Sequence, residues 1–524
     1  MVWMAEPSKR KVLMKNAFKT VGFMLVMVLL SKVLGQVREI MIAAIYGGSV
    51  QSAAFYAASA LPLNLFDIVF ASAVTSSFIP VYNTYLEKNG ENEADRFASA
   101  FINVVLLCSV LLSAVLMIFA SPFISALYDL SGEAKELAVS LTVIMMPVMI
   151  FASLAFSFVG ILQSKGEFNI PAVMSLVLNL AMVTYLWFFN DKFGVYGLSF
   201  TLLIGWLLQF LLQLPVAIKK GFKYKFIFKH EGIKSVLLLA LPIMVGTWLQ
   251  PITAIINTSL ASSLDNNIKA ISSLNYANKL YFIVPSVFTM SITNFIFPKL
   301  SRQITTEDDA GYKNILKLAF KIIFLCLIPI TAVLVSLRTP IIEIVYKRGE
   351  FGDEDLYLTA GIFMYYSLGI LFFGITDLLN KAFYAQKKAL SPAITAGTAI
   401  VINIILSYAL KAKMGVFGLA LSSSLTALYI AVVLFWLLNR KTKFLKLNEI
   451  FDYLKILIFG VVLFFITNTL FGYIDFKISS TMINTILRLV VAAGSGGIVY
   501  LALVYFFIDE VKGIVKKVFN RSGE

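Results

Sequence analysis

Gly194-Val195-Tyr196-Gly197-Leu198 returns 221 residues later as Gly415-Val416-Phe417-Gly418-Leu419. At the same offset Ile170-Pro171-Ala172 returns as Ser391-Pro392-Ala393. Tyr56-Ala57, followed by Phe78-Ile79-Pro80, is echoed with a small slip by Tyr276-Ala277 and Phe295-Ile296-Phe297-Pro298. Two echoes in one register mark an internal repeat, and the repeat decides how the chain is divided. Each copy holds six long apolar runs, and two further runs follow the second copy.

Those runs fix the class. The chain has 524 residues, 59% hydrophobic and only 14% charged, with a mean hydropathy of +0.86. Continuous stretches of about 20 apolar residues recur from end to end, each long enough to span a bilayer. They do not alternate, which excludes a strand barrel. The predicted fold is an all-α polytopic membrane protein with 14 transmembrane helices, two six-helix repeats plus two C-terminal helices. The helices are expected near 17–46, 54–85, 97–127, 137–163, 171–190, 194–217, 235–263, 275–300, 314–337, 356–385, 390–411, 414–438, 453–473 and 483–507. This divides the chain into an N-terminal lobe (1–217), a basic linker (218–234), a C-terminal lobe (235–440) and an appended pair with its tail (441–524). Six is even, so the halves insert with one orientation. A pseudo-twofold along the membrane normal then places a cavity between them, the arrangement of alternating-access transporters.

The charge distribution sets the topology. Of 44 Lys and Arg, about 30 fall in the tails and in one alternating set of loops, and 9 in the opposite set. Positive residues stay inside, so both termini are expected in the cytoplasm of a multi-pass plasma-membrane protein. The net charge of +15 therefore belongs to a membrane surface and not to nucleic acid. The densest loop, Lys219 to Lys234, is expected to lie on anionic headgroups. Lys9, Arg10, Lys11, Lys15 and Lys19 ahead of an apolar run mimic a signal peptide, but no small-x-small cleavage site follows, so a retained first helix is expected. Cys108 and Cys326 both fall in apolar runs and indicate no disulfide.

Five cations remain inside helices: Lys32, Arg38, Lys279, Lys321 and Arg488. The first two share Ser31-Lys32-Val33-Leu34-Gly35-Gln36-Val37-Arg38-Glu39, in the first run. A charge at the centre of a membrane helix costs roughly 2.5–3.5 kcal/mol, so such residues usually face a cavity or a partner. Six residues apart, Lys32 and Arg38 diverge by about 120° on a straight helix. Gly35 between them permits a bend or a close packing contact. Arg38 has two readings, a cavity residue or a snorkelling one; Lys32 is too central to snorkel. Glu39 can reach Arg38 only through their stems. Lys279 follows Asn278 near the start of the eighth run and either joins a basic cluster or snorkels. Two cations from the first half and one from the second would suit a phosphate or diphosphate. Lys321 and Arg488, near helix ends, are expected to snorkel. Asp67 could neutralise Lys32 or Arg38. Asp377, with Asn380, either binds a coupling cation or proton or pairs with Lys381 one turn on.

Enzyme machinery is not visible. His230, the sole histidine, has no evident partner, and no Walker loop, metal spacing or nucleophile elbow occurs. The longest outer connection, Arg338 to Tyr357, carries Lys347-Arg348-Gly349-Glu350-Phe351-Gly352-Asp353, too little for an active site. Neither catalysis nor a cofactor nor a metal is expected.

These motifs in this order resemble the MurJ (MviN) family of lipid II flippases, within the multidrug/oligosaccharidyl-lipid/polysaccharide exporter superfamily. The resemblance rests on Ser31 to Glu39, Ala44-Ile45-Tyr46-Gly47, Leu61-Pro62, Phe78-Ile79-Pro80, Leu241-Pro242, Tyr276-Ala277-Asn278-Lys279-Leu280, Arg348-Gly349-Glu350-Phe351, Ala382-Phe383-Tyr384-Ala385 and Pro392. It implies a flippase that moves undecaprenyl-diphosphate-linked peptidoglycan precursor to the outer leaflet. It maps the family's cavity cations onto Lys32, Arg38 and Lys279, with Glu39 beside them. It also implies a lipid-tail groove at the last two helices, where Gly460, Gly494, Gly496 and Gly497 lie. The chain departs from the family at Phe66 and Asp67, where adjacent arginines are frequent, and at Ala53, where an acid is frequent. The sodium site of some members needs an acid in the seventh helix, and none stands between Lys234 and Asp265.

The expected partners are a lipid-linked diphosphate sugar and membrane lipids, with cell-wall synthesis proteins as further candidates. Two alternatives stay open: a flippase for another polyprenyl-linked oligosaccharide, and a non-transport scaffold for cell-wall synthesis. A drug or cation antiporter would want a more acidic cavity.

Overall fold

In a computed structural model, residues 7–71, 73–445, 449–508 and 512 are described, and every regular element among the described residues is helical. The side chains of the basic N-terminal residues, and the C-terminal tail beyond Ile508 apart from Lys512, lie outside this description. The chain forms two compact units, Met1–Ser272 and Ser273–Glu524. The helices over 231–262 therefore belong with the first unit, and the boundary falls later in the chain than the linker at 218–234.

The first unit begins with α1 (Pro7–Tyr46), a 40-residue helix, and α2 (Val50–Phe66), capped by the Ser49 hydroxyl. Two π-helical segments, Asp67–Ala71 and Ala73–Phe78, follow, and Pro80 sits in the first turn of α3 (Ile79–Asn89), where its missing N–H is harmless. Then come α4 (Glu91–Ile118), the short α5 (Ala120–Leu127), α6 (Gly132–Met145) and α7 (Val148–Ser164), the last two separated at Pro147. The helices α8 (Asn169–Phe188) and α9 (Asn190–Lys219) form a hairpin, and α10 (Glu231–Thr247) and α11 (Leu249–Ser262) close the unit.

The boundary crosses the start of α12 (Asn267–Val284), which runs through a π segment, Pro285–Thr289, into α13 (Met290–Thr305). The order of the first unit then returns: long α14 (Asp309–Ser336), short α15 (Arg338–Tyr346), α16 (Asp353–Ser367), α17 (Ile370–Ala385), and the hairpin of α18 (Leu390–Met414) and α19 (Val416–Thr442). The appended pair is α20 (Ile450–Tyr473) and α21 (Thr481–Phe507). Eleven described helices are long and apolar enough to cross a membrane, and α16 with α17, bent by 40°, makes up to twelve.

The repeated glycines do the same work in both copies. Gly194 (φ 53°, ψ −145°) and Gly415 (φ 58°, ψ −134°) turn the chain between hairpin helices in a region essentially closed to L side chains. Three residues on, a Cβ at Gly197 would lie 2.1 Å from the Tyr185 hydroxyl, and one at Gly418 would lie 2.4 Å from the Leu410 carbonyl. The Tyr-Ala echoes are likewise tied down alike. Tyr128 donates its hydroxyl to the carbonyl of Ala57, and Tyr346 donates to that of Tyr276, each at 3.2 Å.

The appended pair packs onto α14. A Cβ at Gly460 would sit 2.3 Å from Ile328, and one at Gly496 would meet Leu463 and Thr467, whereas Gly494 and Gly497 face open space. Tyr500 donates to the carbonyl of Leu325 at 3.2 Å. Lys321 does not snorkel as expected: it is 5% exposed and its Nζ lies 3.4 Å from Asp452 on α20. One turn earlier Lys317 meets Glu449 at 2.5 Å. Arg488 turns back as well, donating to the carbonyl of Phe471 at 2.6 Å, with its guanidinium over that ring. Both cations find partners on α20.

Gly194→Ala and Gly415→Ala should each destabilise the purified protein by about 1–3 kcal/mol, read as a lower thermal unfolding midpoint in detergent. Gly494→Ala, in open helical space, should leave the midpoint unchanged or raise it slightly. Indifference of the midpoint to both hairpin substitutions would contradict the shared turn.

Candidate functional site

The first unit's charged site is assembled on α1 by α8 and α2. The helix α1 runs unbroken through Gly35. Gly35 allows a close approach, since a Cβ there would lie 3.4 Å from the Asn179 amide of α8. Asn179, buried, donates to the carbonyl of Ser31 at 3.0 Å and accepts from Arg38 Nη1 at 2.8 Å. The other end of the guanidinium, Nη2, meets Glu39 Oε1 at 2.5 Å. Tyr56 of α2 donates to Glu39 Oε2 at 2.7 Å. Arg38 is thus held inside the helix packing, with its side chain 16% exposed and that of Glu39 5% exposed. Charge-assisted bonds of this length are roughly twice as strong as neutral ones. Arg38 Nε remains buried without a partner.

Lys32 is half-buried on α1 and has no hydrogen bond or ion pair among the described residues. Asp67 does not neutralise it or Arg38. It is exposed at the start of a π segment, 11 residues beyond Tyr56, which is about 16 Å along a helix. Glu39, next to Arg38 and pinned by Tyr56, takes that role.

In the second unit, Tyr276 and Ala277 are buried, with the Tyr276 ring against Tyr346 and Phe351. The next two residues of α12, Asn278 and Lys279, are exposed. On α17, Asp377 does not pair with Lys381. Its Oδ2 accepts from the Thr293 hydroxyl of α13 at 2.5 Å, and the Lys381 ammonium lies 5.6 Å from the centre of the Phe297 ring. The neighbouring helix offers both groups a better-placed partner than the next turn does. Asn380 is half-buried one turn on from Asp377. The Thr289 hydroxyl, one turn before Thr293, is buried and unpartnered, 3.4 Å from where a Cβ of Gly374 would be. His230 also has a partner: its Nε2 lies 3.1 Å from Glu93.

Sequence reasoning missed Asn179, Tyr56 and Thr293. Asn179 carried a signal, being a lone amide in the apolar run from Pro171 to Phe188; Tyr56 stood out only as part of the repeat, and Thr293 carried none.

The family described as "Lipid II flippase MurJ" matches residues 42–493. This chain belongs to the lipid II flippase MurJ family. It is 28% identical over 518 residues to the probable lipid II flippase MurJ of Buchnera aphidicola subsp. Schizaphis graminum, covering 97% of this chain and 100% of that one. It is 28% identical over 425 residues to the lipid II flippase MurJ of Burkholderia cenocepacia, covering 79% and 82%. The solved structure titled "Lipid II flippase MurJ, inward closed conformation" matches with a TM-score of 0.80 at 26% identity, over 93% of this chain and 99% of that chain. An inward-facing multidrug resistance MATE family transporter of the MOP superfamily matches with a TM-score of 0.69 over 80% of this chain and 98% of that chain, at 13% identity, a likeness of fold alone.

In this MurJ family member, removing one partner of a buried pair leaves an uncompensated charge, which costs about 3–5 kcal/mol. Arg38→Met and Glu39→Gln should therefore each lower the unfolding midpoint clearly, and the double variant should lose less than the two losses added. Strict additivity in that cycle would show that the two side chains do not depend on each other.

Proposed function

We propose that this chain carries undecaprenyl-diphosphate-linked peptidoglycan precursor, lipid II, from the inner to the outer leaflet of the bacterial cytoplasmic membrane. The family match along residues 42–493 is the observation that carries this reading. The chemistry of α1 supports it. Arg38 keeps a buried Nε without a partner, and Lys32 keeps an unpaired ammonium in an apolar helix. Cations retained there against an insertion penalty fit a multiply charged anion that neutralises them when bound.

In this reading Arg38, oriented by Glu39, Tyr56 and Asn179, contacts the diphosphate together with Lys32, and Lys279 and Asn278 are the cargo-binding residues of the second unit. Asp67, exposed and unpaired, faces the polar headgroup. No bond is made or broken, so the chain is not an enzyme; its residues bind, release and exclude lipid. Transport runs by alternating access, the site opening to one side of the membrane at a time, driven by differential affinity of the two states for the cargo. Asp377, with Thr293 and Asn380, is the group that would take a coupling cation or proton. In the same reading the chain crosses the membrane fourteen times, α1 and the α10–α11 pair adding to the twelve spans above, with both termini in the cytoplasm, which the loop charges support.

Expression in a bacterium depleted of its own lipid II flippase should restore growth. Lys32→Ala, Arg38→Ala and Lys279→Ala should lose that rescue at normal expression, Arg38→Lys should recover part of it, and exposed Lys413→Ala should retain it. Full rescue by all three alanine variants would refute the cation assignment. Absence of rescue by the wild-type chain would favour another polyprenyl-linked cargo or a scaffold.

A further inference from the structure

Cargo binding leaves the segment between α9 and α10 without a task. The chain leaves α9 through Gly221 (φ +86°). Gly221 N–H bonds Ile218 at 2.9 Å and Phe222 N–H bonds Ala217 at 3.0 Å, the paired bonds of a Schellman cap. Phe222 then buries its ring against Phe158. From there the chain runs along α4, with one tight turn where Ile227 N–H bonds the Lys225 carbonyl at 3.0 Å. Lys223 N–H donates to Asp95 at 2.9 Å, Lys225 N–H to the Ser99 hydroxyl at 3.0 Å, and Asn103 Nδ2 donates to the carbonyl of Ile227 at 2.8 Å. Every second residue of the segment meets every fourth residue of α4. The spacings agree from Lys223 to Lys225, because two extended residues rise about 6.6 Å and four helical ones about 6 Å.

This register explains why Asp95, Ser99 and Asn103 recur on one face of an apolar helix. Chain without regular structure cannot approach a bilayer core unless its backbone groups are met by protein, and these three side chains meet the N–H groups of Lys223 and Lys225 and the carbonyl of Ile227. Tyr224, 53% exposed, donates its hydroxyl back to Asn103 Oδ1 at 2.6 Å, while Phe226, 77% exposed, and Phe228, 40% exposed, turn outward. The segment descends from the level of Asp95 to that of Asn103, about 12 Å along α4. It returns to Glu93, where His230 binds that carboxylate at 3.1 Å and accepts from Gly232 N–H at 3.1 Å to cap α10. Phe226-Ile227-Phe228 is the tip of this dip. One turn beyond Asn103, α4 begins its exposed apolar stripe with Leu107, Val110 and Leu111. Around the base stand Lys219, Lys223 and Lys229, all exposed.

We propose that this dip is an interfacial wedge for anionic phospholipid, seated in the leaflet at the N-terminal end of α4. Its aromatic tip enters the acyl boundary, continuous with the lipid-facing stripe of α4, and its lysine collar binds phosphate headgroups. The wedge fixes the depth of α4 and α10 in that leaflet and is independent of which lipid-linked cargo is carried.

The test places the full-length chain in vesicles of brominated phosphatidylcholine or brominated phosphatidylglycerol and compares Phe226→Trp with wild type. Phe226 is largely exposed, so the exchange leaves the packing intact, and an unchanged unfolding midpoint verifies this. The added tryptophan's fluorescence should be quenched by both lipids and severalfold more by phosphatidylglycerol. Adding Lys219→Gln, Lys223→Gln and Lys229→Gln should abolish that preference while leaving the quenching by phosphatidylcholine. An unquenched tryptophan would overturn the wedge, and would point to a soluble protein as the ridge's partner. Equal quenching by the two lipids before the lysines are changed would overturn the anionic preference.

Discussion

A guanidinium inside an apolar helix has to be answered by a carboxylate within the same packing, and in the first unit the carboxylate is the next residue. The Arg38–Glu39 pair at 2.5 Å fixes what surrounds it. Glu39 needs a second donor, which Tyr56 brings from α2; Arg38 needs a second acceptor, which Asn179 brings from α8. The amide can reach α1 only because Gly35 leaves room for it. Three helices are thereby held in one register around a charge. The same bonds orient the guanidinium with its Nε still unpartnered, the observation on which the proposed anion contact rests.

The same rule organises other parts of the molecule. Asp95, 2% exposed, is met by Lys165 at 3.8 Å and by the backbone of Lys223, which ties the linker to α4. Lys317 and Lys321 key α20 onto α14 through Glu449 and Asp452. Arg488 closes the end of α20 by taking the carbonyl that helix termination leaves open. In a solvent that offers no hydrogen bonds, each of these contacts specifies a neighbour more sharply than apolar packing alone, because the alternative is an unsatisfied polar group.

Much of this was legible in the chain. The repeat announced itself through glycines whose combination of positive φ with ψ near −140° is essentially closed to other residues, so sequence and backbone geometry report one constraint at Gly194 and Gly415. Lys32, Arg38 and Glu39 stood out because charge in an apolar run is rare. What was not legible depended on partners far along the chain. Lys321 looked like a headgroup-seeking residue because Asp452, 131 residues later, is invisible to local reasoning. Asp377 looked like half of a one-turn pair because Thr293, 84 residues earlier, carries no signal in sequence. The loop lysines suggested a headgroup contact, but not that side chains at i, i+4 and i+8 of α4 would hold the linker backbone beside them.

The central claim is that Arg38 is kept in the membrane to hold a diphosphate. Native mass spectrometry of the full-length protein, offered undecaprenyl diphosphate and undecaprenyl monophosphate together, tests it most directly. The wild-type chain should retain the diphosphate in preference to the monophosphate, and Arg38→Ala should retain the two alike. Equal retention by the wild type, or an undiminished preference in Arg38→Ala, would contradict the account.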